Sequence, residues 1–166
     1  MATERSAPNL SHLSCREAQA PLVSALIRGF TEAMGEDEAR AVAEDVIRED
    51  AIRSGRSLAE AYSDNSLETL LRIGREVWAA DGTMETASVE LTRERLDFDV
   101  TECGYARMYE RMGLREHGCL LSCSRDFPFM EGFNPNIELR RTQTIMEGAN
   151  HCDFRYRKRR GPKAED

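Results

Sequence analysis

The apolar residues of this chain change period once, between residues 82 and 87, and that single change restricts it to a mixed fold. Over 22–78 they recur at helical spacing, and over 87–100 they alternate. Leu22, Val23, Leu26, Ile27 and Phe30 predict a helix over 15–34, with Gly35 as its C-cap. Ala39, Val42, Ala43, Val46, Ile47 and Asp50 share one side of a second helix over 36–62, where Gly55 weakens the middle and marks a point of division. A third helix is expected from Ser66, through Leu67, Leu70, Leu71, Ile73 and Trp78, until Asp81-Gly82 ends it.

In 87–100 the first apolar phase is odd (Val89, Leu91) and the second even (Leu96, Phe98, Val100). Such a phase switch calls for a hairpin turn or a bulge, not one flat strand. Thr101 is then expected to cap a fourth helix, with Cys103 in its first turn and Gly113 as its stop. Residues 118–132 read as a short helix or compact loop closed by Asn134-Pro135. Stretches 136–146 and 151–159 read as an antiparallel hairpin around 147–150. The fold class is therefore α+β: N-terminal helices packed with a small antiparallel β-sheet, with a helix between two strand pairs. A length of 166 residues suits one domain. The expected organisation is a flexible leader over 1–13, a single domain over 14–160 and a tail over 161–166. The apolar stripes of the N-terminal helices are broad for so small a sheet, which suggests a homodimer interface.

A net charge of −7 argues against nucleic-acid binding, which needs a positive surface to displace counterions from phosphates. The one basic run, from Arg155 to Arg160, reads as the solvated end of a strand. Neither a secretory signal nor an apolar run of about 20 residues is present, so no membrane association and a cytoplasmic location are expected. There the five cysteines stay reduced. Their odd number and the lack of a CxxC pair disfavour a disulfide framework and a structural zinc. No GxGxxG, GxxxxGK[ST] or HExxH occurs, and no cofactor is expected.

Chemistry concentrates in the C-terminal third, where thiols sit beside acids. Cys123 and Asp126 are three apart and share a face on a helical turn. A thiol at the start of such a turn is expected to have a lowered pKa, and the carboxylate to take its proton or that of a water. Cys103 at a helix start has the same electrostatic advantage. On an extended strand Cys152, Phe154 and Tyr156 face one side while His151, Asp153 and Arg155 face the other, so Cys152 and Asp153 share a pocket only if the strand begins between them. Arg140 and Arg141 point to opposite faces, and the inward one needs a carboxylate from the protein or from a ligand. His12 and His117 have no neighbours that suggest catalysis. The alternative for each cysteine is a small buried hydrophobe.

Five pieces in order carry a family resemblance: the 103–114 segment CGYARMYERMGL, Cys123-Ser-Arg-Asp126-Phe, Gly132-Phe-Asn-Pro135, Leu139-Arg-Arg-Thr142-Gln-Thr144 and Gly148-Ala-Asn-His-Cys152-Asp153-Phe154. The chain resembles the L-2-amino-thiazoline-4-carboxylic acid hydrolase family, most strongly over 70–157. That resemblance implies a hydrolase that adds water to the amidine carbon of a small cyclic substrate, in specialised metabolism. It implies catalytic roles for Cys123 (nucleophile), Asp126 (base) and Asp153 (second acid/base), with Cys103 and Cys152 lining the pocket or replacing Cys123. Arg141, as carboxylate clamp, Thr142 and Phe154 would bind substrate. Two other classes compete: a sensor that binds a small molecule without turnover, and a metalloprotein using Cys103, Cys123, Cys152 and an Asp.

Overall fold

The computed structural model describes residues 10–159. Helices α1 (His12–Met34) and α2 (Glu36–Tyr62) form a hairpin whose turn is Gly35 alone, at φ 96°. Glycine enters that region without a Cβ clash. Helix α1 begins at His12 rather than residue 15, because the Ser11 hydroxyl accepts the Ser14 N–H at 3.1 Å and satisfies a free donor of the first turn. The expected leader is thus shorter at its C-terminal end; residues 1–9 and the expected tail lie outside the described residues.

Gly55 does not divide α2. It continues a buried stripe of Ala39, Ala43, Ile47 and Ala51, and α6 (Asp126–Phe133) is laid against the C-terminal part of α2, where Ile52 and Gly55 lie. A Cβ on Gly55 would stand 2.2 Å from the Phe129 carbonyl oxygen, and one on Gly132 would stand 2.0 Å from that of Ile52. The two backbones touch at this crossing, and both positions require a residue without a side chain. Helix α3 (Leu67–Ile73) starts where expected, with Ser66 accepting the Thr69 N–H at 3.2 Å. It then widens into a π turn over Gly74–Trp78 and closes in a 3-10 turn at Ala80–Gly82.

The phase switch near residue 92 contains both a turn and bulges. Strands β1 (Met84–Leu91) and β2 (Arg95–Cys103) form a hairpin, and register shifts fall between Glu85 and Thr86 and between Ala87 and Glu90. Pairing of Glu85 with Glu102 and Met84 with Cys103 keeps the chain extended beyond Thr101. Helix α4 (Gly104–Arg111) therefore starts later than expected, and Cys103 is its N-cap, its Sγ accepting the Ala106 N–H at 3.4 Å. The 118–132 stretch resolves into α5 (Arg115–Leu121), a 3-10 turn at Cys123–Arg125, and α6. Strands β3 (Ile137–Arg140) and β4 (Cys152–Lys158) make a shorter ladder than the 136–146 expectation. The Asp153 carboxylate draws the chain out of the sheet by accepting the N–H groups of Thr142 and Gln143, each at 2.9 Å.

The four strands form one antiparallel sheet in the order β1-β2-β4-β3, so the α+β architecture holds. Its outer face carries cross-strand ion pairs: Arg155 with Asp99 at 2.7 Å, and Arg157 with Asp97. The start of the basic run is thereby neutralised within the sheet. The inner face presents Phe98, Val100, Cys152, Phe154 and Tyr156. Two apolar clusters flank it. One joins α1, α2, α4 and α5 around Ile27, Ile47, Met108 and Tyr109. The other joins α3, α6 and the sheet around Leu70, Ile73, Leu96 and Phe133. No helix among the described residues is long and apolar enough to cross a membrane.

Candidate active site

The inner face of the sheet does not close against the helices. It leaves a cavity of about 580 Å³, walled by α1, α2, the π turn, β1, β2, β4 and the 123–129 segment. That volume suits a small organic molecule. Aromatic rings supply much of its lining: Phe98 stacks on Phe154 with centroids 5.1 Å apart, and Trp78 and Phe129 form a T-shaped pair with centroids 5.1 Å apart.

Cys103, Cys123, Cys152, Asp126, Arg141 and Phe154 all line this one cavity. They arrive by separate routes. Cys103 ends β2, Cys123 and Asp126 come from the turn into α6, Arg141 follows β3, and Cys152 and Phe154 lie on β4. Asp153 and Thr142 do not join them. Strand alternation turns Asp153 to the other face, where both carboxylate oxygens serve the 142–143 backbone and the Thr142 hydroxyl, the latter at 2.8 Å. The expected second acid/base is therefore a brace for the segment that carries Arg141. His151 is also outside the cavity and meets Gln143 and Asn150.

Arg141 is the inward member of its pair, its side chain 7% exposed against 73% for Arg140. The carboxylate that offsets its burial is Asp126, and a second N–H donates to the Cys123 carbonyl at 3.1 Å. Phe127 and Phe154 flank the guanidinium at 5.2 and 5.4 Å. Asp126 lies deep among protein atoms, yet 35% of its side chain faces the open cavity. Burial lifts its pKa to about 6, in spite of Arg141 and Arg125, whose charges pull it down. A carboxyl group that titrates near neutrality at a cavity wall is suited to moving protons.

The thiols behave differently from the expectation of a helix-start thiolate. Burial pushes the Cys123 pKa strongly up, and the neighbouring Asp126 charge adds to the effect. Cys152 rises to about 11, again through burial, although its sulfur accepts the Ile145 N–H at 3.2 Å. Cys103 is also raised by burial, which outweighs the N–H groups of Ala106 and Tyr105. Desolvation wins here because Cys103 is offered two N–H groups, Cys152 one, and Cys123 none among the described residues. The three sulfurs are protonated at neutral pH. Cys119 packs against the helical core, and Cys15 lies on α1. Among the described residues, no group of three or more His, Cys, Asp or Glu side chains is placed to hold a metal ion.

Three polar groups of the wall escaped the sequence reading. His12 and Arg16, one turn apart on α1, face the cavity, and Tyr105 of α4 meets the His12 Nδ1 at 2.7 Å. Burial, with Arg16 and Arg125 nearby, lowers the His12 pKa to about 4, so its ring is neutral. A signal was present: Ala20, Ser24 and Ile27 form the buried stripe of α1, and stepping back by four from Ala20 reaches Arg16 and His12. A buried stripe that turns polar at one end marks a cavity wall. Arg125 also lines the site, paired with Asp50 of α2 at 2.5 Å.

No curated protein matches this chain. Among solved structures, the phenol-responsive sensory domain of the transcription activator PoxR, crystallised with phenol, shares the fold. Its TM-score is 0.51 at 14% identity, over 84% of this chain and 74% of that one. The profile of the L-2-amino-thiazoline-4-carboxylic acid hydrolase family matches residues 15–156, which contain every cavity residue named above except His12. The chain belongs to the L-2-amino-thiazoline-4-carboxylic acid hydrolase family.

Proposed function

We propose that the protein hydrolyses a small cyclic amidine, a thiazoline or a related heterocycle, in specialised metabolism, with Asp126 as the proton-transfer group. The observation that carries this reading is the Asp126 carboxyl, open to the cavity, fixed by Arg141 and titrating at about 6. Above that pH its carboxylate accepts a proton from a water as the oxygen adds to the C=N carbon. The tetrahedral adduct then collapses. The proton held on Asp126 passes to the departing ring heteroatom, the carbon–heteroatom bond breaks, and the hydroxyl's remaining proton moves to the former C=N nitrogen as the urea or amide carbonyl forms. Water and one ring bond are consumed, and Asp126 returns to its starting charge.

Aromatic walls of Trp78, Phe98 and Phe154 hold the ring and limit access of bulk water. Cys123 and Cys152, as neutral thiols, shape the wall and donate weak hydrogen bonds. In this scheme water and not Cys123 is the nucleophile, since the Asp126 charge beside Cys123 opposes thiolate formation. The test is incubation with 2-aminothiazoline-4-carboxylate, monitored for release of a free thiol. Thiol release by the wild type and its loss in Asp126→Asn is the expected result.

A second reading is a sensor that binds without turnover. It is favoured by the shared fold with a phenol-responsive sensory domain and by the extent of apolar lining. Saturable ligand binding with no product over hours would select it.

A further inference from the structure

The charges of the cavity are unevenly matched. Three guanidinium groups reach its interior. Arg141 is neutralised by Asp126, and Arg125 by Asp50 at 2.5 Å. Arg16 has no hydrogen bond or ion pair among the described residues. It sits half-buried on α1, where burial and then Arg125 disfavour its charge; Tyr109, Asp50 and Tyr105 favour it but do not offset those two, and Asp50 is itself bonded to Arg125. His12, one turn before it on α1, is neutral and committed to Tyr105 at 2.7 Å. The other two arginines of the lining, Arg53 and Arg75, are exposed and screened by solvent.

An unpaired guanidinium held partly out of water beside a second cation is unfavourable unless something else brings the counter-charge. Packing alone does not explain it, because an apolar side chain of equal length would fill the same space at lower cost. The interior carries three cations and two carboxylates, which leaves one positive charge. One carboxylate matches that balance, whereas a dianionic phosphate overshoots it. The planar guanidinium fork suits a carboxylate in two-point contact.

We infer that Arg16 is the receptor for a carboxylate on the ligand of this cavity, with the ligand's ring lying against the aromatic wall formed by Trp78, Phe98 and Phe154. The inference rests on the proposed reading that the cavity takes a small molecule. It moves the carboxylate clamp from Arg141, whose charge is already used by Asp126, to the opposite side of the chain's order, on α1. It also gives the N-terminal helix a direct part in specificity.

Trp78 is the chain's single tryptophan and lines the cavity, so its fluorescence reports occupancy. Two probe pairs are titrated: 2-aminothiazoline-4-carboxylate against 2-aminothiazoline, and benzoate against phenol. In the wild type the carboxylate of whichever pair binds is expected to be held at least about tenfold more tightly than its partner. Arg16→Met is expected to abolish that preference without weakening the binding of the partner that lacks the carboxylate, and Arg16→Lys to restore part of it. The melting temperature of Arg16→Met is expected to be kept or raised, because a desolvated cation has been removed. Arg16→Gln serves the same purpose if methionine disturbs folding.

Equal affinities within both pairs in the wild type, or a preference that survives Arg16→Met and Arg16→Gln, overturns the inference. Failure of the thiazolines to react, with an Arg16-dependent preference for benzoate, removes the hydrolase reading and keeps the Arg16 assignment. Thiazoline turnover unaffected by Arg16→Met does the reverse. No binding of any probe overturns both.

Discussion

Asp126 and Arg141 form an ion pair in which the guanidinium is almost wholly buried while a third of the carboxylate side chain remains open to the cavity. The asymmetry divides the labour: Arg141 fixes the carboxyl, and the carboxyl keeps an accessible oxygen. Burial raises the Asp126 pKa to about 6, so the carboxylate form required of a base is lost below that value. The rate constant kcat/KM is expected to rise with pH along a limb centred near 6 and then level off. Asp126→Asn is expected to lower kcat by about 10²-fold or more. A flat profile from pH 5 to 8 would remove Asp126 from the chemistry. The sign for stability is opposite. The folded protein holds this proton more tightly than the unfolded chain, so the associated stabilisation is present below the ordinary carboxylate pKa and lost as the pH rises through 6.

Gly132→Ala is expected to destabilise the fold through the α2–α6 crossing. The new methyl group would stand 2.0 Å from the Ile52 carbonyl oxygen, which is backbone and has no rotamer to yield. A cost of about 1–3 kcal/mol or more follows, measured by urea unfolding. Gly55→Ala meets the Phe129 carbonyl oxygen at 2.2 Å and should cost a similar amount. Once either substitution has pushed the helices apart, the second meets less resistance, so the double variant should fall short of the sum. Because α6 begins with Asp126, both substitutions should also lower activity.

Much of the fold was legible because its causes are local. Ser66, Gly35 and Asp81-Gly82 mark helix ends by short-range hydrogen bonding and backbone freedom, and they lie where the sequence places them. Errors arose where a distant partner decided the outcome. Thr101 looks like an N-cap, but β1 holds it in the sheet. Gly55 looks like a helix break, but α6, whose Phe129 and Phe133 backbones meet it, needs its missing side chain. In the site, strand alternation correctly separated Cys152 and Phe154 from Asp153. The thiol electrostatics were misread because burial depends on the whole wall, which no spacing encodes. His12 and Arg16 were invisible for a related reason: their counterparts Tyr105 and Arg125 lie about 90 and 110 residues away in the chain.

Asp153→Asn is expected to loosen the segment that carries Arg141. Although burial works to raise the Asp153 pKa, hydrogen bonds from the Thr142 hydroxyl and the N–H groups of Thr142 and Gln143 lower it on balance. A depressed pKa means stability that is present above the unfolded-state value of about 4 and is lost as the pH falls through the folded-state value. The wild type should therefore lose this contribution on acidification, and Asp153→Asn should show a shallower acid limb. At pH 7 the substitution should cost about 1–2 kcal/mol, since the amide accepts fewer charge-assisted bonds. Thermal melts of both proteins at pH 3 and pH 7 check the two signs together. Equal melting temperatures at pH 7 would show that the 142–143 segment is held by something else.

Cys123 and Cys152 line the cavity as neutral thiols, and this distinguishes two chemistries for the same wall. With the Cys152 pKa at about 11, its thiolate fraction at pH 7.5 is about 100-fold below that of an ordinary cysteine. The Cys123 thiol is pushed still further up by its burial and by Asp126. Alkylation by iodoacetamide at pH 7.5 should accordingly be slow at both positions, with no single fast-reacting cysteine, and peptide mass mapping over time reads this directly. Activity should follow the same logic. If Asp126 activates water, Cys123→Ser keeps the wall shape and should retain kcat within about threefold. If Cys123 instead attacks the C=N carbon, the same substitution should remove nearly all turnover, because a serine hydroxyl beside a carboxylate is a far weaker nucleophile. A rapidly alkylated Cys123, protected by substrate, together with an inactive Cys123→Ser of unchanged melting temperature, would assign the attack to sulfur. Slow alkylation with a nearly full rate assigns it to water.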